Sequence, residues 1–233
     1  MLRFLFNEPP RADDGRLRDI FELLDELGRR FRAMRGGERA LRGQRMLAWT
    51  KSLAASLDEL EQSVYCAAKY AELVRAEYVE DMTPEEREHY RRHLYFYKNG
   101  FIRVFSVLDK LGSFLDECLE LRTAQVKDRF SYFTVLRRMR ERRSHPELHR
   151  RLDGIKREHA APMADLRLMR NHEVHAINTE LLDEEGRLRL RSRQARMPVE
   201  DLRENIRTLL GGYAMVCESL FTVLDYLKRK APP

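Results

Sequence analysis

The feature that most constrains this chain is the recurrence of apolar residues every three or four positions over long stretches. In the clearest stretch, from Leu94 to Cys118, the apolar residues advance in alternating steps of three and four. That spacing returns side chains to one face of an α-helix, whereas a strand exposes one face at every second residue. Repeated along most of the chain, it predicts an all-α fold, a bundle of long antiparallel helices.

Breaks in this pattern indicate where each helix begins and ends, and one stretch between helices has a different period. We expect helices over residues 15–34, 41–81, 84–122 and 161–177, and a last helix that starts at Met197. Thr83 is expected to cap the third long helix, with Pro84 at its first position and Glu86 completing a capping box. Between residues 179 and 193 the period changes to strict alternation, which predicts a small β-hairpin insertion before the last helix, with arginines on one face.

Charge and composition narrow the function classes. The 233 residues include 44 Lys and Arg against 38 Asp and Glu, a net charge of +6, and 36 of the 44 cations are arginines. The planar guanidinium binds phosphate with two parallel hydrogen bonds, so a polyanionic partner is plausible. The base composition of a genome explains an arginine excess equally well. The 43% hydrophobic share is too large for a disordered chain.

Features that the sequence lacks predict where the protein is located and whether it binds a metal or cofactor. No run of about 18 apolar residues is present, and the N-terminal segment is too short and too charged for a secretory signal, so we expect no membrane span. Three widely spaced cysteines within apolar helical patterns indicate reduced thiols of a cytoplasmic protein. The i, i+4 pairs His89/His93 and His145/His149 lack a third ligand, so we expect surface or boundary histidines, no metal and no cofactor.

The polar group that stands out is Arg170-Asn171-His172-Glu173-Val174-His175. On a helical wheel of about 100° per residue, Arg170 falls in the middle of an apolar stripe. A guanidinium cannot lose its proton and is costly to bury without a partner. Asn171 and His175 flank Arg170 on one side of that stripe. The sequence therefore predicts that a cation, an amide and an imidazole converge at the border between core and solvent.

This group resembles the signature of the HEPN superfamily, in which an Arg, often followed by Asn, Asp or His, precedes a His by four to six residues. Arg170, Asn171 and His175 match that pattern. The resemblance implies a single helical domain over residues 1–233, with an N-terminal helical extension over 1–40 and a HEPN-like bundle core over 45–229. It further implies a homodimer in which two motifs face a shared cleft, and for many members metal-independent endoribonuclease activity in toxin–antitoxin or phage-defence systems.

In an active enzyme of this kind the RNA 2′-hydroxyl attacks its own phosphate, so cleavage needs proton transfer and charge neutralisation. His175 would move the proton, Arg170 would hold the scissile phosphate, and Asn171 would orient the imidazole or bind the phosphate. The candidate substrate-binding residues are Arg137, Arg138, Arg187 and Arg189. A catalytically inactive helical dimer that binds nucleotides, RNA or another protein is the alternative. A cognate antitoxin or a nucleotidyltransferase is a possible partner class, and a DNA-binding regulator is disfavoured because no helix-turn-helix is recognisable.

Overall fold

The architecture is helical throughout the described residues, which in this computed structural model are 2–123, 130–175 and 196–230. The α-helices of these ranges are α1 (Gly15–Arg32), α2 (Gly37–Ala71), α3 (Pro84–Cys118), α4 (Tyr132–Arg142), α5 (Pro146–Glu158), α6 (Ala160–His175) and α7 (Leu202–Arg229). Short 3-10 helices occur at Leu2–Phe6 and Val79–Asp81. The all-α prediction is confirmed. The predicted hairpin, with Arg187 and Arg189, lies outside the described residues.

The core forms where the two 35-residue helices α2 and α3 pack side by side, with α1 and α7 against them. Most of the apolar stripe that the sequence predicted on α3 is buried in this core, and its residues Val104, Leu111 and Leu115 have no exposed surface. Residues of α1 belong to the same apolar cluster. The division into an extension over 1–40 and a core over 45–229 stays a prediction. Within the described residues, no helix combines the length and apolar character needed to cross a membrane.

Two helix boundaries differ from the sequence prediction for one shared reason. Helix α2 ends at Ala71 instead of continuing to residue 81, and the last helix begins at Leu202 instead of Met197. Between them the chain runs extended at Tyr78, which bridges Pro198 in antiparallel fashion. Backbone N–H groups of residues 79 and 199 donate across this pair at 2.9 Å. An extended backbone that bonds to a distant segment cannot also continue a helix.

The start of α3 has the N-cap that the sequence predicted at Thr83. The Thr83 hydroxyl accepts a hydrogen bond from the backbone N–H of Glu86 at 3.1 Å, as an N-cap should. The Thr83 backbone N–H helps to lower the pKa of Glu86, but the Glu86 carboxylate has stronger partners elsewhere. It accepts from the backbone N–H groups of Arg75 and Ala76 at 2.5 and 2.7 Å, so it fixes the turn that follows α2.

The N-terminal arm is held to α2 by a group of ion pairs, here named the Glu61 cluster and comprising Arg3, Arg11, Asp58 and Glu61. The buried Glu61 carboxylate accepts from Arg3 at 2.5 Å and from Arg11 at 2.7 Å. Arg11 also pairs with Asp58 at 2.9 Å. Burial alone would raise the pKa of Glu61, but the hydrogen bonds from the two arginines outweigh it and lower that pKa.

Candidate functional site

Arg170 lies on α6 at the edge of a pocket of about 360 Å³ between α3, α4 and α6. We call this the Arg170 pocket; its lining residues are Phe105, Asp109, Ser131, Phe133, Thr134, Arg137, Arg167 and Arg170. Three different helices thus contribute to this site, whereas the sequence placed its predicted catalytic residues on one helix.

The environment of Arg170 explains how a charge is tolerated on an apolar stripe. Met163 and Leu166, its apolar neighbours on the wheel, are 4% and 0% exposed. The Arg170 side chain is half-buried, and its guanidinium carbon lies 4.8 Å from the centre of the Phe105 ring. Its Nη2 donates to the Asn171 Oδ1 at 2.9 Å. Stacking on an aromatic face and one amide contact satisfy the cation without drawing it into the core.

Asp109 on α3 is the residue of this pocket that sequence reasoning missed. Its Oδ1 accepts a hydrogen bond from the backbone N–H of Tyr132 at 2.9 Å. Burial raises the pKa of Asp109, while that hydrogen bond and the nearby charge of Arg170 oppose the rise. The available signal was a carboxylate one turn after Phe105, beside the apolar stripe of α3.

The bond between Asp109 and Tyr132 depends on a close approach of two helices. One turn beyond Asp109 on α3, a Cβ added at Gly112 would lie 2.9 Å from the Tyr132 Cα, closer than side-chain carbons approach. The Tyr132 ring is fully buried, and its hydroxyl donates to the Ser219 Oγ of α7 at 3.1 Å. The N-terminus of α4, and with it one wall of the Arg170 pocket, is therefore anchored to both α3 and α7.

Two further arginines line the pocket beside Arg170. Arg137, predicted as a substrate-binding residue, is exposed on α4 and bonds to Glu141 through its Nε at 3.0 Å. Arg167 was not predicted; its guanidinium carbon lies 5.5 Å from the centre of the Phe133 ring. Among the described residues no carboxylate forms an ion pair with Arg167 or Arg170. Three cations around one half-buried carboxyl group favour an anionic ligand.

The remaining predicted site residues do not join this group within the described structure. Asn171 is exposed next to Arg170. The backbone of His175 ends α6, and its side chain lies outside the described part of the structure. Arg138 does not line the pocket. Its buried Nε has no hydrogen-bond partner among the described residues. Arg187 and Arg189 fall outside the described residues.

The i, i+4 histidine pairs contain residues with different surroundings. His93 is wholly buried, which corrects the expected surface or boundary position; its Nδ1 lies 2.9 Å from the carbonyl oxygen of Ala67. Burial lowers the pKa of His93 and favours the neutral ring. A different group, Glu158, His159 and Glu218, brings its ligand atoms within 4.8 Å of one another. Its carboxylates are at the surface, where such groups are common without a metal, so it carries no assignment.

Comparison with known proteins identifies the family to which the part of the chain around this pocket is similar. A family model described as Cthe2314-like HEPN matches residues 49–228, which include every residue that lines the Arg170 pocket. No curated protein matches the chain, and no solved structure does.

Proposed function

The chain belongs to the Cthe2314-like HEPN family, and on that premise we propose that it is a metal-independent endoribonuclease that cleaves RNA through attack of the 2′-hydroxyl at a dimer cleft. The observation that carries the proposal is the Arg170 pocket. It holds three guanidinium groups, one of which is that of Arg170, and two of them, those of Arg167 and Arg170, have no carboxylate partner among the described residues.

The contacts of Arg170 suit it to hold the scissile phosphate. Its Nη2 bonds to Asn171, and the stacked Phe105 ring fixes the plane of the guanidinium while leaving its other donors for an anion. A phosphate seated there would be stabilised as charge builds on its oxygens in the transition state. The Asn171 amide nitrogen stays available, because the bond to Arg170 uses only its oxygen.

His175 is the proposed proton-transfer group. It is the last residue of α6, five residues after Arg170, and the helical wheel predicts it on the side that carries Asn171. An unperturbed imidazole titrates at a pKa of about 6.5, which suits removal of a proton from the 2′-hydroxyl or its donation to the leaving oxygen. Arg137 and Arg167 are proposed to hold neighbouring phosphates of the RNA backbone.

The proposed dimer would bring two such motifs together through α6. HEPN domains often dimerise. Leu168 of α6 is 69% exposed and lies near Asn171 on the outer side of that helix. An isolated exposed leucine is ordinary, but one beside the motif gives a second copy an apolar anchor there. Leu168→Asp is expected to shift the protein toward monomer in sedimentation analysis and to lower cleavage.

The decisive experiment measures cleavage of single-stranded and structured RNA in excess EDTA. Wild type should yield products that end in 2′,3′-cyclic phosphate, and His175→Ala should be at least about 100-fold slower. His172→Ala is the matched control, because His172 is exposed and lies on another side of α6. Cleavage that EDTA abolishes, or that survives in His175→Ala, would contradict the proposal.

One observation favours a second candidate, an inactive RNA- or nucleotide-binding scaffold. The Arg170 guanidinium already contacts Asn171 and Phe105, and an arginine that only supports the fold would make the same contacts. Under this alternative the wild type cuts no RNA, yet Arg170→Ala weakens RNA retention on filters. An antitoxin or nucleotidyltransferase partner belongs with either function, and co-purification with the products of neighbouring genes would test for it.

A further inference from the structure

A second pocket, of about 340 Å³, opens at the end of the bundle where α1, α2, α3, α5 and α7 meet. It shares no lining residue with the Arg170 pocket. Its volume falls within the range of about 300–1,000 Å³ that is typical of small-molecule sites. The family motif lies elsewhere, so the proposed cleavage of RNA gives this cavity no role.

The walls of this pocket are apolar and belong to the core. Leu27 and Phe31 of α1 and Met46 of α2 line it and are 3%, 7% and 2% exposed. Gly43 lets α2 approach the end of α1, because a Cβ there would lie 2.5 Å from the carbonyl oxygen of Phe31. The close contact of these two helices sets one wall. The methionines in the lining give it walls that adapt to ligand shape.

The polar residues of the lining are mostly cationic. Arg30, Arg42, His145 and Lys230 line the pocket, and Glu120 is the acidic residue among its described lining. Glu120 forms an ion pair with Arg42, whose Nη1 lies 2.6 Å from the Glu120 Oε1. Arg30 is likewise engaged, by the Glu26 carboxylate at 2.6 Å and by a backbone carbonyl.

Lys230 differs from these arginines. Its Nζ lies 3.2 Å from the Nδ1 of His145 and 5.0 Å from the centre of the Tyr226 ring. The Tyr226 hydroxyl lies 2.8 Å from the same His145 nitrogen. No carboxylate of the described residues pairs with Lys230. Burial and the charge of Lys230 lower the pKa of His145. An ammonium and an imidazole thus lie side by side at an apolar cavity, with no anion between them.

We propose that this pocket binds an amphipathic monoanion, namely a medium-chain alkyl carboxylate, with its chain among Leu27, Phe31 and Met46 and its carboxylate at Lys230 and His145. The charge of the head group matches the Lys230 ammonium, with which no carboxylate of the described residues pairs, and the apolar walls match the alkyl chain. A carboxylate between Lys230 and His145 would also favour the protonated imidazole, so binding should tighten as the pH is lowered toward 6.

Isothermal calorimetry with octanoate, decanoate and dodecanoate, each below its micelle threshold, tests this proposal on the full chain. One ligand should bind per chain, and affinity should rise about fourfold per added methylene until the pocket is full. Lys230→Gln should weaken decanoate binding about tenfold, as expected for the loss of one hydrogen bond to a charged group. Lys156→Gln, an exposed lysine of α5 outside the pocket, is the matched control and should bind as wild type does.

Two further measurements separate the fit of the alkyl chain from the charge of the head group. Leu227→Trp should fill part of the pocket and weaken all three ligands, with folding checked by circular dichroism; Lys230→Gln decides the matter if this variant does not fold. Decanol, which has the chain without the charge, should bind at least tenfold more weakly than decanoate. Absence of decanoate binding, equal binding of decanol, or an unchanged affinity in Lys230→Gln would overturn the proposal.

Discussion

The Glu61 cluster and the Arg170 pocket both place arginines near a carboxyl group, buried in the first and half-buried in the second, yet they differ in what the arginines contact. In the Glu61 cluster, Arg3 and Arg11 bond directly to Glu61. In the Arg170 pocket, Arg167 and Arg170 lie over aromatic rings, and the Asp109 oxygen is used by the Tyr132 backbone. In the Glu61 cluster the arginines form ion pairs that stabilise the fold. In the Arg170 pocket the guanidinium groups of Arg167 and Arg170 remain available to bind an anionic ligand.

This difference predicts where substitution affects activity most. Arg170→Ala is expected to lower the rate of RNA cleavage by about 100-fold to 1,000-fold, the usual loss when one group that stabilises transition-state charge is removed. The free energy of unfolding of this variant should change by less than about 1 kcal/mol. Only the stacking on Phe105 and an exposed hydrogen bond to the Asn171 side chain are lost. Single-turnover cleavage assays measure the expected loss of rate, and urea denaturation measures the expected change in the free energy of unfolding. A variant as active as wild type would remove Arg170 from the site.

The converse effect is expected in the Glu61 cluster. Glu61→Gln should lower the free energy of unfolding by about 2 kcal/mol, because Arg3 and Arg11 lose their shared anion but can partly regain water. Glu141→Gln, which breaks an exposed i, i+4 pair with Arg137, is the control and should cost about 0.5 kcal/mol or less. Cleavage per folded molecule should be unchanged in Glu61→Gln. Equal stability of the two variants would end the contrast between the two regions.

The pH dependence of the two carboxyl groups should have opposite signs. The pKa of Glu61 is lowered in the folded state, so its stabilisation is present above the unfolded value of about 4.3 and is lost as the pH falls through the folded pKa. The pKa of Asp109 is raised, so stability is lost as the pH rises from its unfolded value of about 3.9 through the folded pKa.

Urea denaturation of two amide variants over the acidic range tests this sign difference. The deficit of Glu61→Gln relative to wild type should shrink as the pH falls. Asp109→Asn keeps an oxygen for the Tyr132 N–H and should be more stable than wild type near neutrality, with the gain vanishing in acid. Parallel pH profiles for the two variants would show that the two sites do not differ as described.

The smallest expected effect concerns Arg137, whose side chain is exposed and shared with Glu141. Arg137→Gln should weaken RNA binding a few-fold and reduce the slope of affinity against salt by about 0.7, the value for one phosphate contact of a single strand. Arg150→Gln on α5, exposed and outside the pocket, should leave both unchanged. Titrations at several salt concentrations measure this, and an unchanged slope in Arg137→Gln would exclude that contact.

Much of the helical framework followed from the spacing of apolar residues alone. The stripe on α3 and the Thr83 cap were predicted correctly, because periodicity and capping are local properties. The end of α2 and the start of α7 were not, since the backbone there pairs across a large sequence separation. Asp109 was missed for the same reason, because its partner Tyr132 belongs to another helix.

The sequence by itself determined the helical class, the Arg170, Asn171 and His175 pattern that resembles the family signature, and the excess of arginine over lysine. Only the tertiary structure decided which arginines are committed to carboxylates and which lie on aromatic rings. Charge can be counted along a chain, whereas the state of a charge depends on the groups within a few ångströms of it. Those groups come from helices that local periodicity defines one at a time and that packing alone brings together.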